Sequence, residues 1–488
     1  MPSTRTDQNT GFGQAIIPIA FFLVVLIYGL FVHPVLFDGG MLPLEIIILM
    51  AICFTSYYLL RLGHSWEKIQ KHIVSKIGES IPVVLILLAI GVLIGSWIVC
   101  GTIPMLIYYG ISLIEPGWIY IFSFVICIIF SLLTGTSWGS AGTIGIVMIG
   151  ISEVFGADIA ITAGAVVGGS FFGDKLSPLS DTTNIASLAS GVTLYQHIHS
   201  MLYTTGPAAL IAACIYTYLS PSSLSLADAT QLTSIDTTLT DLSSIFTFHW
   251  LLLLPMAVVI YGTVTKKSIF LTLLNSAWTA MVLALLFQDF SLLEVFTTLK
   301  SGFSTSMSDV ELSPDSAVLS ILNRGGLYNL IEGVMACLLI FTYIGLLDVI
   351  GAIEVSIASA MRKIKKTTQL VAASLTATLL TNMTTSNQYA TSFIIGSAFR
   401  KKYDKLGVDR KVLSRSIEDA GTMMENLVPW TPSGIFMAST LGVAAFDYAP
   451  YQFLSLINIV IAYVFAFTGI AVFRKAVKSR HTEKTAAD

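Results

Sequence analysis

Charge is what this sequence is short of. Only 11% of its 488 residues are charged, against 55% hydrophobic, and the mean hydropathy is +0.80. Soluble domains carry roughly 25% charged residues. A water-soluble fold has too little polar surface here to cover its apolar mass, so the chain reads as a membrane protein with the lipid bilayer as its principal partner. No basic stripe with interleaved aromatics appears, and the formal charge of -3 gives no reason to expect a nucleic-acid partner. Cysteine is also scarce. Cys53, Cys100, Cys127, Cys214 and Cys337 all fall in apolar stretches, none at CxxC spacing, so free packing thiols are expected instead of disulfides or metal sites. No nucleophile–base constellation or metal-ligand set stands out, which argues against an enzyme. The opening MPSTRTDQNTGFGQ lacks a basic region and a small-residue cleavage site, and the apolar run behind it is as long as a full span. A retained helix is expected, not a signal peptide.

What is present is a series of long apolar runs. A spanning helix needs about 20 of them in a row. Spans are expected at 14–33, 41–60, 81–100, 201–219, 249–265, 268–288, 327–350 and 451–473. Two further stretches, 157–190 and 416–445, are long enough to cross but are interrupted by GDKLSPLSDTTN (173–184) and NLVPWTPSG (426–434). Pro178, Pro429 and Pro432 lack the N–H that a helix interior requires. Polar backbone at membrane depth is tolerated only inside protein or along a water cavity, so two broken helices with buried breaks are expected. Two other segments read as re-entrant hairpins: 118–155, turning at TGTSWGSAG, and 367–399, turning at TTSN. The second has lysines and arginines on both flanks (Arg362, Lys363, Lys365, Lys366; Arg400, Lys401, Lys402), and its roughly 33 residues are short for two full crossings.

Ten crossings with both termini in the cytoplasm place 23 of the 26 Lys and Arg on the cytoplasmic side. Lys300 and Arg324 fall outside, and Lys175 falls within the membrane. That bias predicts a multi-pass protein of the cytoplasmic (inner) membrane. The Ser/Thr-rich stretch 220–247 has no basic residue and is expected as an outer loop joining the halves.

The two halves resemble each other at a nearly fixed offset. GVLIGSWIVCGTI (91–103) lies over FTYIGLLDVIGAI (341–353), TSWGSA (136–141) over TSNQYA (385–390), DKLSPL (174–179) over ENLVPW (425–430), and ASLASGV over ASTLGV, at offsets of 249–252. Five crossings on either side of the linker force opposite orientations. The expected fold is therefore an all-α membrane protein of two inverted-topology repeats. Each has five transmembrane helices, a re-entrant hairpin and a broken helix: 1–219, an extracellular linker at 220–248, and 249–488. Inverted repeats with broken helices and midplane polar sites are the pattern of secondary transporters; a channel needs no paired inverted hairpins.

Charge inside a membrane is costly and usually functional. Asp174, Lys175 and Asp181 surround the first break, and Glu425 takes the position of Asp174 at the second. Ser177, Ser180, Thr182, Thr183 and Asn184, with Thr431 and Ser433, supply hard oxygen ligands suited to Na+. Asp174 and Asp181 are the candidate Na+ and proton ligands, since one desolvated carboxylate can hold either. The hairpin tips, Thr136–Ser137 and Thr385–Ser386–Asn387–Gln388, point toward the same region as candidate substrate contacts, with Lys175 available as counter-charge. Asp174 and Lys175 also read as an ion pair bracing the break. Glu418 and Asp419 read equally as salt-bridge or transport residues near the cytoplasmic end, His197 and His199 as solvated histidines at a turn, Asp348 and Glu354 as snorkelling or paired, and Trp97, Trp118 and Trp250 as interfacial anchors.

GGSFFGDKLSPLSDTTNIAS, TSNQYATSFIIG and RSIEDAGTMMENLVPWTPSG resemble the NhaC-type Na+/H+ antiporter family of the ion-transporter superfamily, over most of the chain. The resemblance implies exchange of Na+ for H+ by alternating access, no cofactor beyond the transported ions, and a homodimer. Exchangers of malate and protons against lactate and Na+ share these motifs, so exchange of small organic acids stays open as the alternative.

Overall fold

The computed structural model describes residues 11–37, 40–220, 229–308, 310, 312–313, 316–361 and 364–473. Arg5, Arg362, Lys363 and the basic residues of 474–488, all counted among the cytoplasmic Lys and Arg, lie outside them. Among the described residues every regular element is helical. Eight of these helices are long and apolar enough to cross a membrane, or up to ten if each of two bent pairs is one span. Phe12–Phe37, Leu44–Arg61, Trp66–Val99, Leu194–Leu219, Ile269–Phe287 and Leu327–Asp348 answer six of the expected spans. Trp66–Val99 has 34 residues, roughly 50 Å of helix, so its first turns, with Glu67, Lys68, Lys71 and Lys76, extend past any apolar core.

The stretch expected as an outer loop is partly helical. Ala229–Ile245 forms a helix, followed after a 99° bend by Trp250–Val264. Leu232, Ile235, Leu239, Leu242 and Phe246 recur every three or four residues, which is the spacing of one helix face. Leu242 and Phe246 are buried.

Both expected hairpins are helix–turn–helix units, the first within two residues of its expected bounds and the second longer at its far end. The first runs from Pro116–Thr134, itself long and apolar enough to cross, through Gly135 into Ser137–Ser140, a π-helical turn at Ala141–Gly145 and Ile146–Val154. Gly135 has φ +73° and a Cβ there would lie 2.6 Å from Leu179 Cβ, so the turn demands glycine both for conformation and for close approach. The second joins Thr367–Thr385 to Gln388–Lys405 through Ser386, a non-glycine residue at φ +48°. Each of its legs is roughly 28 Å long.

The two broken helices lie where the prolines place them. Ile159–Leu176 stops at Ser177 and the chain restarts as Asp181–Ser190. Arg410–Ile417 passes through a π-helical turn, Glu418–Thr422, to Glu425, and restarts as Pro432–Leu441. Pro432 opens the new helix, where its missing N–H leaves nothing unsatisfied. The second helix starts six residues ahead of the expected 416 because Asp409 caps it, accepting from the Lys411 amide at 3.0 Å.

Local structure recurs along the chain. Asp158 and Asp409 cap the two interrupted helices, Ser180 and Thr431 cap the two restarts, and Gly191 and Gly442, both at φ +70°, end them. Thr136 and Asn387 cap the second legs of the hairpins, after the left-handed residues Gly135 and Ser386. Every one of these pairs is 251 residues apart.

Helix Ile159–Leu176 lies tight against helix Ile119–Thr134. A Cβ on Gly173 would come 2.5 Å from Ser131 Cβ, and one on Gly169 would come 2.8 Å from Cys127 Cβ. Ser131 Oγ donates to the Ser170 carbonyl at 2.5 Å. Small residues four apart with an inter-helix hydroxyl bond are a membrane packing device that needs no hydrophobic driving force. All five cysteines are free, Cys53 and Cys214 exposed and the others buried. Trp97 is buried, its Nε1 donating to Ser276 Oγ at 3.0 Å, so it is a packing residue and not an interfacial anchor; Trp118 and Trp250 are exposed.

Candidate functional site

Six Asp, Glu, Lys and Arg side chains are buried among the described residues: Asp174, Lys175, Arg415, Glu418, Asp419 and Glu425. All six lie on the two interrupted helices. Burying a charge is tolerable only with a partner, a metal or a proton, so their partners define the site.

Asp174 sits on the last turn before the first break. Ser137 Oγ, at the first hairpin's tip, donates to Oδ2 at 2.6 Å, and Ser180 Oγ, the cap of the restarting helix, donates to Oδ1 at 2.6 Å. Thr183 Oγ1 reaches the carbonyls of Asp174 (3.1 Å) and Lys175 (2.9 Å), which the break leaves without helix partners. Asn184 Nδ2 donates to the carbonyls of Pro178 (3.1 Å) and Ser180 (2.6 Å), while Thr182 Oγ1 shares a hydrogen bond with Ser180 Oγ at 3.0 Å. Ser177 Oγ turns to the Leu132 carbonyl at 3.1 Å. Asp181 is exposed at the start of the restarting helix and takes no hydrogen bond among the described residues.

Glu425 repeats this arrangement at the second break. Its carboxylate faces Ser433 of the restarting helix and Asn382 of the second hairpin. Thr431 Oγ1 closes the broken end, donating to the Glu425 carbonyl at 2.6 Å and to Val428 at 2.8 Å. Trp138, from the first hairpin's tip, crosses to this half: its Nε1 donates to Ser433 Oγ at 3.3 Å and its ring stacks on Phe436 at 4.3 Å.

Lys175 points away from Asp174. Its ammonium pairs with Asp419 and donates to Asn458 Oδ1 at 3.3 Å, with lysine and aspartate both fully buried. Thr204 Oγ1 and Asn458 Nδ2 each donate to Asp419 Oδ1 at 3.0 Å, Thr205 Oγ1 donates to Asn458 Oδ1 at 3.2 Å, and Arg415 Nε stands 3.9 Å from Asp419 Oδ2. The expected Asp174–Lys175 brace is therefore replaced by a pair between the two broken helices. Asp419, read equally as a salt-bridge or a transport residue near the cytoplasmic end, is fully buried and forms the salt bridge. The signal was in the 251-residue offset: it sets Asp409–Glu425 opposite Asp158–Asp174, and so places Arg415, Glu418 and Asp419 at the depth of a span.

At the second hairpin's tip, Thr385 Oγ1 bonds Thr391 Oγ1 (2.9 Å) and Asn387 Oδ1 accepts from the Ala390 amide (3.0 Å). Gln388 Nε2 donates to the Ile417 carbonyl at 3.4 Å, and Ser386 is buried. Thr136 accepts from the Gly139 amide at 3.4 Å. Of the residues singled out, Asp174, Ser137, Ser180, Thr182 and Thr183 form one group, and Glu425 and Ser433 a second. Lys175 joins neither. His197 is buried and bonded to Ser414, not solvated at a turn, because its helix packs on Arg410–Ile417. Asp348 pairs with Lys76 at 3.1 Å.

The Na+/H+ antiporter family model matches residues 169–470, which span both breaks and the second hairpin. An uncharacterised Na+/H+ antiporter of Haemophilus influenzae is 38% identical over 97% of this chain and 99% of its own. The malate-2H+/Na+-lactate antiporter of Bacillus subtilis is 34% identical, over 92% and 94%. The Na+/H+ antiporter NhaC of Alkalihalophilus pseudofirmus is 34% identical, over 96% and 97%.

Proposed function

The chain belongs to the Na+/H+ antiporter family, and from that premise we propose that it exchanges Na+ for H+ by alternating access, with Asp174 as the principal coupling carboxylate and Glu425 as its counterpart. The observation that carries this reading is the convergence of every described buried charge on two broken helices, with carboxylates in excess. Among the described residues no cation pairs with Asp174; it holds two hydroxyls, which serve equally as donors to a carboxylate or as further oxygen ligands to Na+. A proton and Na+ cannot occupy that carboxylate together, which is all the chemistry that exchange requires. Asp181 is exposed one break away and suits an entry position.

The recurrence of caps and left-handed turns every 251 residues supports two repeats, 1–219 and 249–488, in opposite orientation, with hairpins entering from opposite faces. Two ion pairs support the division into two faces: Glu153 pairs with Arg324, which the charge count leaves outside, and Lys76 pairs with Asp348.

The organic-acid reading has a relative in its favour, but Lys175, the counter-charge such a substrate would use, is committed to Asp419. Proteoliposome flux decides. A Na+ gradient imposed on the reconstituted protein should move internal pH without malate or lactate, and Asp174→Asn should abolish that movement. Proton movement that appears only with malate and lactate present would establish the organic-acid exchanger, and an undiminished rate in Asp174→Asn would remove that residue from the coupling role.

A further inference from the structure

Glu418 is the buried carboxylate with the fewest partners, Thr422 alone facing it. It is fully buried, and neither of its oxygens has a hydrogen-bond partner among the described residues. No cation stands within ion-pair distance of it there; the nearby Lys175 is paired with Asp419. Asp174 and Glu425, by contrast, each face two polar side chains. A bare carboxylate at membrane depth is among the most expensive groups a protein can hold.

Its surroundings are equally unfinished. Thr422, four residues on along the π-helical turn, is buried, faces the carboxylate, and its hydroxyl is unpartnered. Gln388 comes from the second hairpin. Its amide is packed so closely on Gly421 that any Cβ there would run into it, and its Nε2 is anchored on the Ile417 carbonyl at 3.4 Å. That anchoring leaves Oε1 beside Glu418's own turn, buried and without a donor. Ser386, at the left-handed tip two residues earlier, is buried with a free hydroxyl. A π-helical turn widens the helix by one residue per turn and is a recurrent device at functional sites.

We infer that Glu418, Thr422 and Gln388 form a second monovalent-cation site, for Na+, built on a carboxylate other than Asp174. Every free atom in the group is an oxygen, and one carboxylate among neutral oxygens matches a single positive charge. A bound proton would add a single hydrogen bond, whereas a cation can be met by several of these oxygens together. The inference rests on the Na+-coupled reading of this protein.

The test is equilibrium binding of radioactive Na+ to the purified full-length protein, beside flux in proteoliposomes. Glu418→Gln keeps shape and removes charge, and should remove one of the two Na+ bound at saturation. Thr422→Val removes one ligand oxygen and should weaken the Na+ affinity of that site by about threefold to tenfold. Asp174→Asn should leave the Glu418 share of binding in place. A folded Glu418→Gln protein that binds as much Na+ as the parent overturns the inference, as does a parent that binds no Na+. Should Glu418→Gln fail to fold, unchanged affinity in Thr422→Val overturns it alone. Na+ binding without Na+-driven proton movement in the parent would instead remove the antiport reading.

Discussion

At the scale of single residues, the pair with the largest stake in stability is Lys175 with Asp419. Both are fully buried and linked through Asn458, Thr204 and Thr205. Removing one member leaves the other charge stranded, which costs about 3–5 kcal/mol, whereas replacing both with apolar residues of similar volume is often neutral. Lys175→Met alone should therefore lower the thermal unfolding temperature of the purified protein sharply, and Lys175→Met with Asp419→Val should recover only part of it, because buried Arg415, 3.9 Å from Asp419, then loses its acid. A single substitution as stable as the parent would deny the pair its role. The sequence announced that Lys175 lies within the membrane but not which acid it meets. Adjacency to Asp174 suggested one partner, yet successive residues on a helix point about 100° apart, and that rotation carries the ammonium to Asp419 on the other broken helix.

Among elements, the first hairpin and the first broken helix act as one packed unit. Ser131, Gly169, Gly173 and Gly135 hold backbones together where a single added methyl would collide with main chain or Cβ atoms. Gly173→Val should consequently reduce folded yield, seen as loss of the monodisperse peak in size-exclusion chromatography, while Gly407→Ala, where nothing lies within 4 Å but φ is +68°, should cost only about 1 kcal/mol. Normal yield from Gly173→Val would mean that the helices are less tightly seated. The interrupted helices and both hairpin turns were legible because proline, glycine and clustered hydroxyl residues punctuate them. The linker helix was overlooked for the opposite reason. Its Ser, Thr and Asp content resembles a loop, and only the three-and-four spacing of Leu232 to Phe246 betrays a face that packs. The far leg of the second hairpin was underestimated because apolarity marks where a helix leaves the bilayer, not where it ends; Gln388–Lys405 continues through Arg400, Lys401 and Lys402.

On the scale of the whole molecule, the orientation prediction concerns exposed positions. In a background with Cys53 and Cys214 replaced by serine, Ser243→Cys in the linker helix should react with an impermeant thiol reagent from outside intact cells, and Lys401→Cys only after the inner face is opened. The reverse pattern would invert the topology.

The census of buried charge also bears on leakage. Four carboxylates and two cations share the interior, so with every group ionised and nothing bound the centre of the carrier stands two negative charges out of balance. An empty carrier reorienting in that state would drag the imbalance through hydrocarbon against a steep electrostatic barrier. A loaded one, by Na+ or by protons, would not. On the proposed alternating-access cycle, return without cargo is thus the slow step, and a membrane containing many copies of this protein should resist running down its ion gradients when the counter-ion is withheld.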